Sequence, residues 1–227
     1  MTTIKDAPAS HNPNGLLKEP QRFSNLRAGG RELASRLETY RSTPDLLVLG
    51  IALGGLQVAH EVAQHLAAPL DFIVIRRLLV PSPDTHQCAV SVAGSLVIDD
   101  DVPMVEKPST PLEYFLDDAL AGLAKRAQIC RRQRPAVSVE GRNVLLVDCG
   151  IRTGSTMRAA AQAVRRLKPK QLIGAVPVAS REGFAAIASL YDELICLAQP
   201  EQFINAGYWY RDFKRPGDDA AGELLEL

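Results

Sequence analysis

Short, continuous apolar runs alternate along the chain with stretches in which apolar residues recur every three or four positions. Runs of the first kind predict buried strands, and stretches of the second kind predict amphipathic helices. The main strands are predicted at residues 46–50, 71–76, 143–148, 171–179 and 193–198, and two shorter ones at 88–93 and 95–99. The helices are predicted at residues 26–40, 56–67, 112–133, 157–167 and 181–190. Strands that alternate with helices in this way are typical of an α/β fold with a doubly wound, mostly parallel sheet.

The two ends of the chain depart from this alternation. Residues 1–21 are rich in proline, asparagine and serine, which predicts a flexible N-terminal tail. Residues 22–213 hold the predicted strands and helices and are interpreted as one folded domain. Residues 214–227 are interpreted as an acidic C-terminal tail, with a short helix predicted at 218–226.

Composition narrows the function without identifying it. Apolar residues make up 46% of the chain and charged residues 23%, a balance that supports a well-packed core. The formal net charge is zero, so we expect neither nucleic acid nor a membrane surface as a partner. The four cysteines are far apart and form no zinc motif. Without a secretory signal or an apolar run of about 18 residues, a reduced, cytoplasmic protein is the expectation.

Two Gly-containing loops follow predicted strands, where an open parallel sheet binds ligands. The first follows the strand at 46–50; the second begins at Asp148 and leads through CGIRTGST into a helix. Backbone N–H groups at a helix N-terminus, beside hydroxyl side chains, can bind a phosphate dianion. A carboxylate such as Asp148 can accept hydrogen bonds from ribose hydroxyls. The second loop therefore fits a 5-phosphorylated ribose, although Thr153 or Ser155 could instead cap the helix and Asp148 could be a polar strand end.

The second loop also carries a resemblance to a known family. The segment VLLVDCGIRTGSTM, at residues 144–157, resembles the signature of type I phosphoribosyltransferases. That signature has four apolar residues, then two acidic residues, then a loop of the form Thr-Gly-(Ser or Thr)-Thr. Residues 50–81 resemble the diphosphate loop of the family and the unit that follows it. Residues 22–40 and 207–213 resemble the ends of a bacterial subgroup of predicted phosphoribosyltransferases. Together these matches cover most of residues 22–213.

The resemblance implies a phosphoribosyltransferase-like domain with a small hood or insert, built from residues 22–40 with pieces of 95–140 and 199–213. Its substrate would be phosphoribosyl diphosphate, with Mg²⁺ bound mainly through that substrate and no metal ligands assigned to the protein. A nucleophile, such as a nucleobase nitrogen, would replace diphosphate at the ribose C1 through an oxocarbenium-like transition state. The sequence does not identify this acceptor. Dimers are common among proteins that resemble this one, so a homodimer is one expected assembly.

The resemblance also implies roles for individual residues. Asp148, which would bind the ribose hydroxyls, and Arg152 are the two residues assigned to catalysis. The loop that binds the ribose 5-phosphate would consist of Cys149, Gly150, Thr153, Gly154, Ser155 and Thr156. The residues that bind or face the diphosphate would be Ala52, Leu53, Gly54, Gly55, Arg76 and Arg77, the last two next to a closing loop at 78–87.

Four positions depart from the family pattern. Cys149 stands where the signature has its second acidic residue, and Leu53 stands where the subgroup has an arginine. Gln87 replaces a usual glutamate, and Arg152 stands where some purine-using relatives have an aspartate base. Because the loss of a carboxylate and a cation weakens the binding of a charged ligand, we hypothesise that Arg152 supplies the cation missing at position 53.

These departures leave two alternatives to a transferase. One is a regulator or sensor that binds a phosphoribosyl metabolite or a nucleotide, which Cys149 and Leu53 favour. The other is hydrolysis or phosphorolysis of a ribosyl phosphate. Cys149 itself has two interpretations, a reactive thiol at a helix N-terminus or a small buried residue.

Overall fold

The computed structural model describes residues 22–51, 53–78, 87–92, 95–98, 121–122, 124–132 and 134–225, with only the backbone described at 76–78, 87–92, 95–98 and 218–219. The strands are β1 (Phe23–Asn25), β2 (Leu46–Ile51), β3 (Leu70–Leu78), β4 (Gln87–Val92), β5 (Ser95–Ile98), β6 (Asn143–Val147), β7 (Gln171–Val178), β8 (Glu193–Ala198) and β9 (Tyr210–Asp212). The helices are α1 (Leu26–Arg36), α2 (Gly54–Leu66), α3 (residues 121–122 and 124–131), α4 (Ser155–Arg166), α5 (Arg181–Ala185) and α6 (Asp218–Leu224). Within these ranges no helix is long and apolar enough to cross a membrane.

The central sheet has seven strands in the order β5-β4-β3-β2-β6-β7-β8. The strands from β3 to β8 in this order are parallel, and β4 and β5 add an antiparallel hairpin beside β3. The chain enters the sheet at β2, passes to β3 on one side, and returns to the other side through β6, β7 and β8. The winding therefore reverses between β2 and β6, which is where an open α/β sheet forms its ligand crevice.

Helices cover both faces of the sheet, and the central strands show why. Along β2, Leu46 and Val48 belong to a buried cluster with α1 and α2, whereas Leu47 and Leu49 belong to a second cluster with α4. Because successive side chains of a strand point to opposite faces, a strand buried on both faces is apolar at every position. The continuous apolar runs in the sequence correspond to these doubly buried strands.

The predicted α/β fold with a mostly parallel sheet is confirmed. The predicted bounds of β8 match the structure, and those of β2, β3, β6 and β7 differ from it by one or two residues at their ends. The helix predicted at 26–40 ends earlier, at Arg36, and continues as a short 3₁₀ turn. The Leu37 N–H donates to both the Leu33 and the Ala34 carbonyl oxygens, at 3.1 and 3.0 Å, so the chain tightens there.

The N-terminal and C-terminal parts of the described chain meet in a small two-stranded sheet. Strands β1 and β9 pair in parallel, with Phe23 opposite Tyr210. The Tyr210 ring lies between Phe23 and Phe213, with ring centroids 5.4 Å apart in both pairs. The Tyr210 hydroxyl donates to the carbonyl oxygen of Cys149 at 2.6 Å, which ties this sheet to the loop after β6. Parts of the hood segments proposed from the sequence are therefore packed beside that loop.

The core continues past residue 213, where the sequence placed the end of the domain. Leu224 and Leu225, in and just after α6, are buried in the same cluster as α2. Nδ1 of His60 in α2 donates to the Leu224 carbonyl oxygen at 2.8 Å. The described part of the predicted C-terminal tail is therefore packed against the domain. The predicted N-terminal tail, residues 1–21, lies outside the described residues.

Candidate functional site

A cleft of about 390 Å³ opens at the carboxyl ends of β2 and β6, where the winding of the sheet reverses. Most of its lining comes from residues 148–157, which run from the end of β6 into α4. Ile51 at the end of β2 and Gly54 at the start of α2 also line it, together with Ala206 and Arg215 from the C-terminal part of the chain. The two loops singled out in the sequence therefore share one cleft.

Asp148 lies at the base of the loop that follows β6. Its side chain is largely buried, and Oδ1 accepts a hydrogen bond of 2.7 Å from the Cys149 N–H. The first turn of α2 approaches so closely that a Cβ on Gly55 would lie 2.9 Å from both Cα and Oδ1 of Asp148. A glycine is needed at position 55 because any side chain there would push the two loops apart. This close approach places the carboxylate between the N-terminus of α2 and the loop that leads into α4.

Glycine also shapes the loop that leads into α4. Gly154 adopts a left-handed conformation, with φ at 84°, and a Cβ there would lie 2.5 Å from Cγ2 of Ile187. The Ser180 hydroxyl donates to the Arg152 carbonyl oxygen and accepts from the Gly183 N–H at 2.9 Å. These contacts brace the outer side of the loop against the start of α5. The loop is therefore held in shape by the protein itself.

The N-terminus of α4 is open toward the cleft. Gly154 occupies the N-cap position, no side chain caps the helix, and no acidic residue lies in its first turn. The Thr153 hydroxyl donates to the Ser155 hydroxyl at 3.3 Å and accepts a long hydrogen bond, 3.5 Å, from the Ser155 N–H. Because helix N-termini combine N–H donors with a positive dipole end, this arrangement suits an anion with several oxygen acceptors. The N-cap residue is therefore Gly154 and not Thr153 or Ser155, which were the alternatives considered from the sequence.

Cys149 is a buried thiol within the cleft loop. It lies next to the start of α2, with its Sγ 3.2 Å from where a Cβ on Gly54 would be. Burial raises the pKa of this thiol well above its ordinary value, the charge of Asp148 raises it further, and the Arg215 guanidinium offsets part of the rise. Since the thiolate is the reactive form, this environment keeps the thiol protonated and unreactive. The structure thus favours the second interpretation of Cys149, a small buried residue.

We expect iodoacetamide to alkylate Cys149 at pH 8 at least about tenfold more slowly in the native protein than in the urea-unfolded chain, because both burial and the raised pKa suppress the thiolate. A time course of peptide mapping by mass spectrometry measures the rate at this cysteine. The unfolded chain supplies the control rate for the same peptide. Equal rates in the two states would restore the interpretation of Cys149 as a reactive thiol.

The structure describes only some of the residues expected to bind the diphosphate. Gly54 and Gly55 lie at the start of α2, and the side chain of Leu53 packs against the apolar core instead of carrying a charge. Ala52 lies outside the described residues, as do the side chains of Arg76 and Arg77, whose backbone belongs to β3. The closing loop proposed at 78–87 falls mostly on undescribed residues as well.

The remaining loop residues come together in the cleft. Its lining includes Gly150, Arg152, Thr153, Gly154, Ser155 and Thr156. A Cβ on Gly150 would lie 2.8 Å from the Cβ of Ala206, so this glycine permits close packing of the loop against the C-terminal part of the chain. Arg152 is exposed at the cleft.

Sequence patterns missed Arg215, which was placed in the C-terminal tail. The structure puts this arginine in the lining of the cleft. The following residues, Pro216 and Gly217, signal a change of chain direction but not the surface that the chain approaches. Only the packing of Phe213 on one side and α6 on the other brings Arg215 to the cleft. No local pattern could have indicated this.

Fold and cleft together define an α/β protein with a candidate phosphate-binding loop at the switch point of its sheet. A family profile described as "Phosphoribosyl transferase domain" matches residues 22–210. The crystal structure of TT1426 from Thermus thermophilus superposes on this chain with a TM-score of 0.77, and the two sequences are 33% identical. That alignment covers 91% of this chain and 99% of the Thermus chain.

Two curated proteins of Mycobacterium tuberculosis, from strains H37Rv and CDC 1551 / Oshkosh, are each named "Putative phosphoribosyl transferase". Each is 37% identical to this chain over 210 residues, which is 90% of this chain. The chain spans about half the length of these relatives, since the match covers 46% of each. The chain belongs to the phosphoribosyl transferase domain family, and the resemblance found in its sequence is confirmed.

Proposed function

We propose that this protein is a phosphoribosyltransferase that binds phosphoribosyl diphosphate in the cleft and transfers the phosphoribosyl group to an acceptor nucleophile, of which a nucleobase is one candidate. The main support is that a largely buried carboxylate, Asp148, and the uncapped N-terminus of α4 lie on one loop of one cleft. A 5-phosphorylated ribose has hydroxyls that can donate to the Asp148 carboxylate and a phosphate that can accept from the N-terminus of α4. Family membership supports the same class of reaction.

Each part of the loop has a chemical role in this proposal. The hydroxyl groups of Thr153, Ser155 and Thr156 and the first N–H groups of α4 bind the 5-phosphate. The carboxylate of Asp148 accepts hydrogen bonds from the ribose hydroxyls and stabilises the positive charge that develops on the ribose as diphosphate leaves. The rigid loop holds the ribose C1 in a fixed position toward the acceptor. The role of Arg152 as a cation for the charged substrate stays a prediction.

Magnesium fits the cleft as an ion that arrives with the substrate. The described residues contain no group of three or more His, Cys, Asp or Glu side chains that could hold a metal ion. Among the described lining residues, Asp148 supplies the one carboxylate, and Mg²⁺ prefers oxygen ligands to a protonated thiol such as that of Cys149. Diphosphate oxygens would therefore hold most of the coordination sphere, with Asp148 nearby. Bound there, Mg²⁺ would neutralise charge on the leaving diphosphate.

Calorimetric titration tests the proposal directly. The purified chain is titrated with phosphoribosyl diphosphate and with ribose 5-phosphate, each with and without Mg²⁺. We expect both ligands to bind, and Mg²⁺ to strengthen the binding of phosphoribosyl diphosphate more than that of ribose 5-phosphate, because it is bound mainly through the diphosphate. Absence of heat and of a thermal shift with phosphoribosyl diphosphate, up to millimolar concentration, would contradict the proposal.

Thr153→Ala should weaken the binding of phosphoribosyl diphosphate and of ribose 5-phosphate alike, by about twofold to tenfold, because it removes one hydroxyl hydrogen bond to the shared phosphate. The same calorimetric titration measures both dissociation constants. Thr153→Ser, which keeps a hydroxyl, is the matched control and should bind nearly as the unchanged chain does. A Thr153→Ala variant with unchanged affinity for both ligands would remove this hydroxyl from the phosphate site.

A second candidate function, a sensor that binds the same ligand without turnover, has one observation in its favour. The position that follows Asp148 holds a buried, protonated thiol, so the cleft has one carboxylate where two would bind a ribose and its metal ion more strongly. Release of diphosphate distinguishes the two functions. A continuous diphosphate assay with a panel of purine and pyrimidine bases detects transfer, whereas binding with no release for any acceptor would favour the sensor.

A further inference from the structure

Arg215 is a cation at the cleft that neither the sequence pattern nor the family match accounts for. It lies beyond the matched range, residues 22–210, yet it lines the same cleft as Asp148. Its Cγ is 3.7 Å from the position that a Cβ on Gly54 would occupy, so the side chain passes over the first turn of α2. This places the aliphatic part of the Arg215 side chain at the junction of the two cleft loops.

The chain around Arg215 is held on both sides. The guanidinium carbon lies 4.9 Å from the ring centroid of Phe213, which itself packs against the core and against Tyr210. Pro216 follows directly and restricts the backbone of Arg215 to extended conformations. After it, α6 is anchored in the core through Leu224. The backbone that carries Arg215 is therefore anchored on both sides, and its exposed side chain extends from a fixed point beside the cleft.

The loop below Arg215 offers backbone donors but no charge of its own. Residues 52–55 read Ala-Leu-Gly-Gly, and the side chain of Leu53 packs against the core. The first turn of α2 contains no acidic residue, and no side chain caps it. None of the ion pairs among the described side chains involves Arg215. An anion bound at this helix N-terminus would therefore lie beside the Arg215 side chain.

We propose that Arg215 binds the diphosphate group of the phosphoribosyl substrate and stabilises its charge as it leaves. This inference rests on the proposed function, since it assigns a residue to the leaving-group end of the same ligand. A guanidinium presents parallel N–H donors that match the oxygens of a phosphate group. The pKa of the Cys149 thiol is consistent with this position, because the Arg215 guanidinium lowers that pKa and the thiol adjoins Gly54.

The test compares three ligands that share different parts of the substrate. Phosphoribosyl diphosphate and inorganic diphosphate carry the group that Arg215 would bind, whereas ribose 5-phosphate lacks it. We expect Arg215→Gln to weaken the binding of phosphoribosyl diphosphate and of inorganic diphosphate by about tenfold or more. It should leave the affinity for ribose 5-phosphate unchanged, and all three affinities are measured by calorimetry with Mg²⁺. Arg215→Lys keeps the charge but not the parallel N–H donors, so its affinity for the two diphosphate ligands should lie between those of the unchanged chain and of Arg215→Gln.

Lys214→Gln is the matched control, because it removes the same charge one residue earlier, from an exposed side chain outside the cleft lining. It should bind all three ligands as the unchanged chain does. Equal weakening in Lys214→Gln and Arg215→Gln would overturn the proposal and indicate a general effect of net charge. Equal weakening of all three ligands in Arg215→Gln, or no weakening at all, would also overturn it. Thermal unfolding of each variant identifies loss of structure, and if Arg215→Gln does not fold, Arg215→Lys carries the comparison.

The two proposals can fail separately. If the unchanged chain binds phosphoribosyl diphosphate and Arg215→Gln binds it equally well, the role of Arg215 is wrong and the proposed function stands. If the unchanged chain binds inorganic diphosphate through Arg215 but not phosphoribosyl diphosphate, the proposed function is wrong and the anion site at Arg215 stands. If it binds neither ligand, both proposals are wrong.

Discussion

Asp148→Asn should weaken the binding of phosphoribosyl diphosphate by about 10- to 150-fold, the largest loss expected from any single conservative change in the cleft. A hydrogen bond to a charged acceptor contributes about 1.5–3 kcal/mol, and an amide can replace only part of what a carboxylate accepts. The change is isosteric, and the Oδ1 atom of the amide can still accept the hydrogen bond that the Cys149 N–H donates at 2.7 Å. The loop should therefore keep its shape while the ligand loses its partner.

Calorimetric titration with phosphoribosyl diphosphate and Mg²⁺ measures this loss, and thermal unfolding measures any change in stability. Asp192→Asn makes the same chemical change at a carboxylate outside the cleft lining, where Oδ2 accepts from the Leu172 N–H at 2.7 Å and pairs with Arg165 at 3.1 Å. It should leave the dissociation constant unchanged and lower stability only slightly, since exposed ion pairs contribute little. Ligand binding by Asp148→Asn at the affinity of the unchanged chain would place the ribose away from this carboxylate.

The central sheet could be predicted from sequence because its physical signal is local. A strand buried on both faces is apolar at nearly every position, so the apolar runs at 46–50 and 143–148 can be recognised as strands from the sequence. The position of the loop that begins at Asp148 was equally predictable, because glycine and small polar residues after a buried strand signal the turn into the next helix, whereas its binding of an anion stays a prediction. For these parts of the chain, local chemistry and global fold require the same residues.

Other parts depend on contacts between distant segments, which no local pattern reveals. Strands β1 and β9 are three residues long and exist because they pair with each other across nearly the whole described chain. Arg215 reaches the cleft for the same kind of reason, through the packing of Phe213 and α6. The helix predicted at 181–190 instead ends at Ala185 and resumes as a 3₁₀ turn. Its break lies at Ile187, whose buried side chain packs beside Gly154 of the cleft loop.

That packing makes Gly154→Ala the second large expected effect, a loss of about 2–5 kcal/mol in the free energy of unfolding. A left-handed conformation costs a non-glycine residue about 1–2 kcal/mol, and φ at Gly154 is 84°. Overpacking adds about 1–3 kcal/mol, since the new Cβ would lie 2.5 Å from Cγ2 of Ile187 and 3.0 Å from the Gly183 carbonyl oxygen. Urea denaturation measures the stability. We expect the affinity for ribose 5-phosphate to fall as well, because the same clash displaces the N-terminus of α4.

Gly141→Ala separates the two causes of this loss. Gly141 also has a positive φ, 72°, but a Cβ there meets nothing within 4 Å, so only the conformational cost of about 1–2 kcal/mol should appear. Equal losses in the two variants would show that the cleft loop accommodates the extra methyl group without strain. A double-mutant cycle with Ile187→Ala then tests the contact itself. Because truncation at Ile187 leaves its Cβ at 3.7 Å from the new methyl group, the double variant should lose less stability than the sum of the single ones. Strict additivity would mean that the Gly183 carbonyl oxygen and the left-handed backbone, and not Ile187, are what require a glycine at position 154.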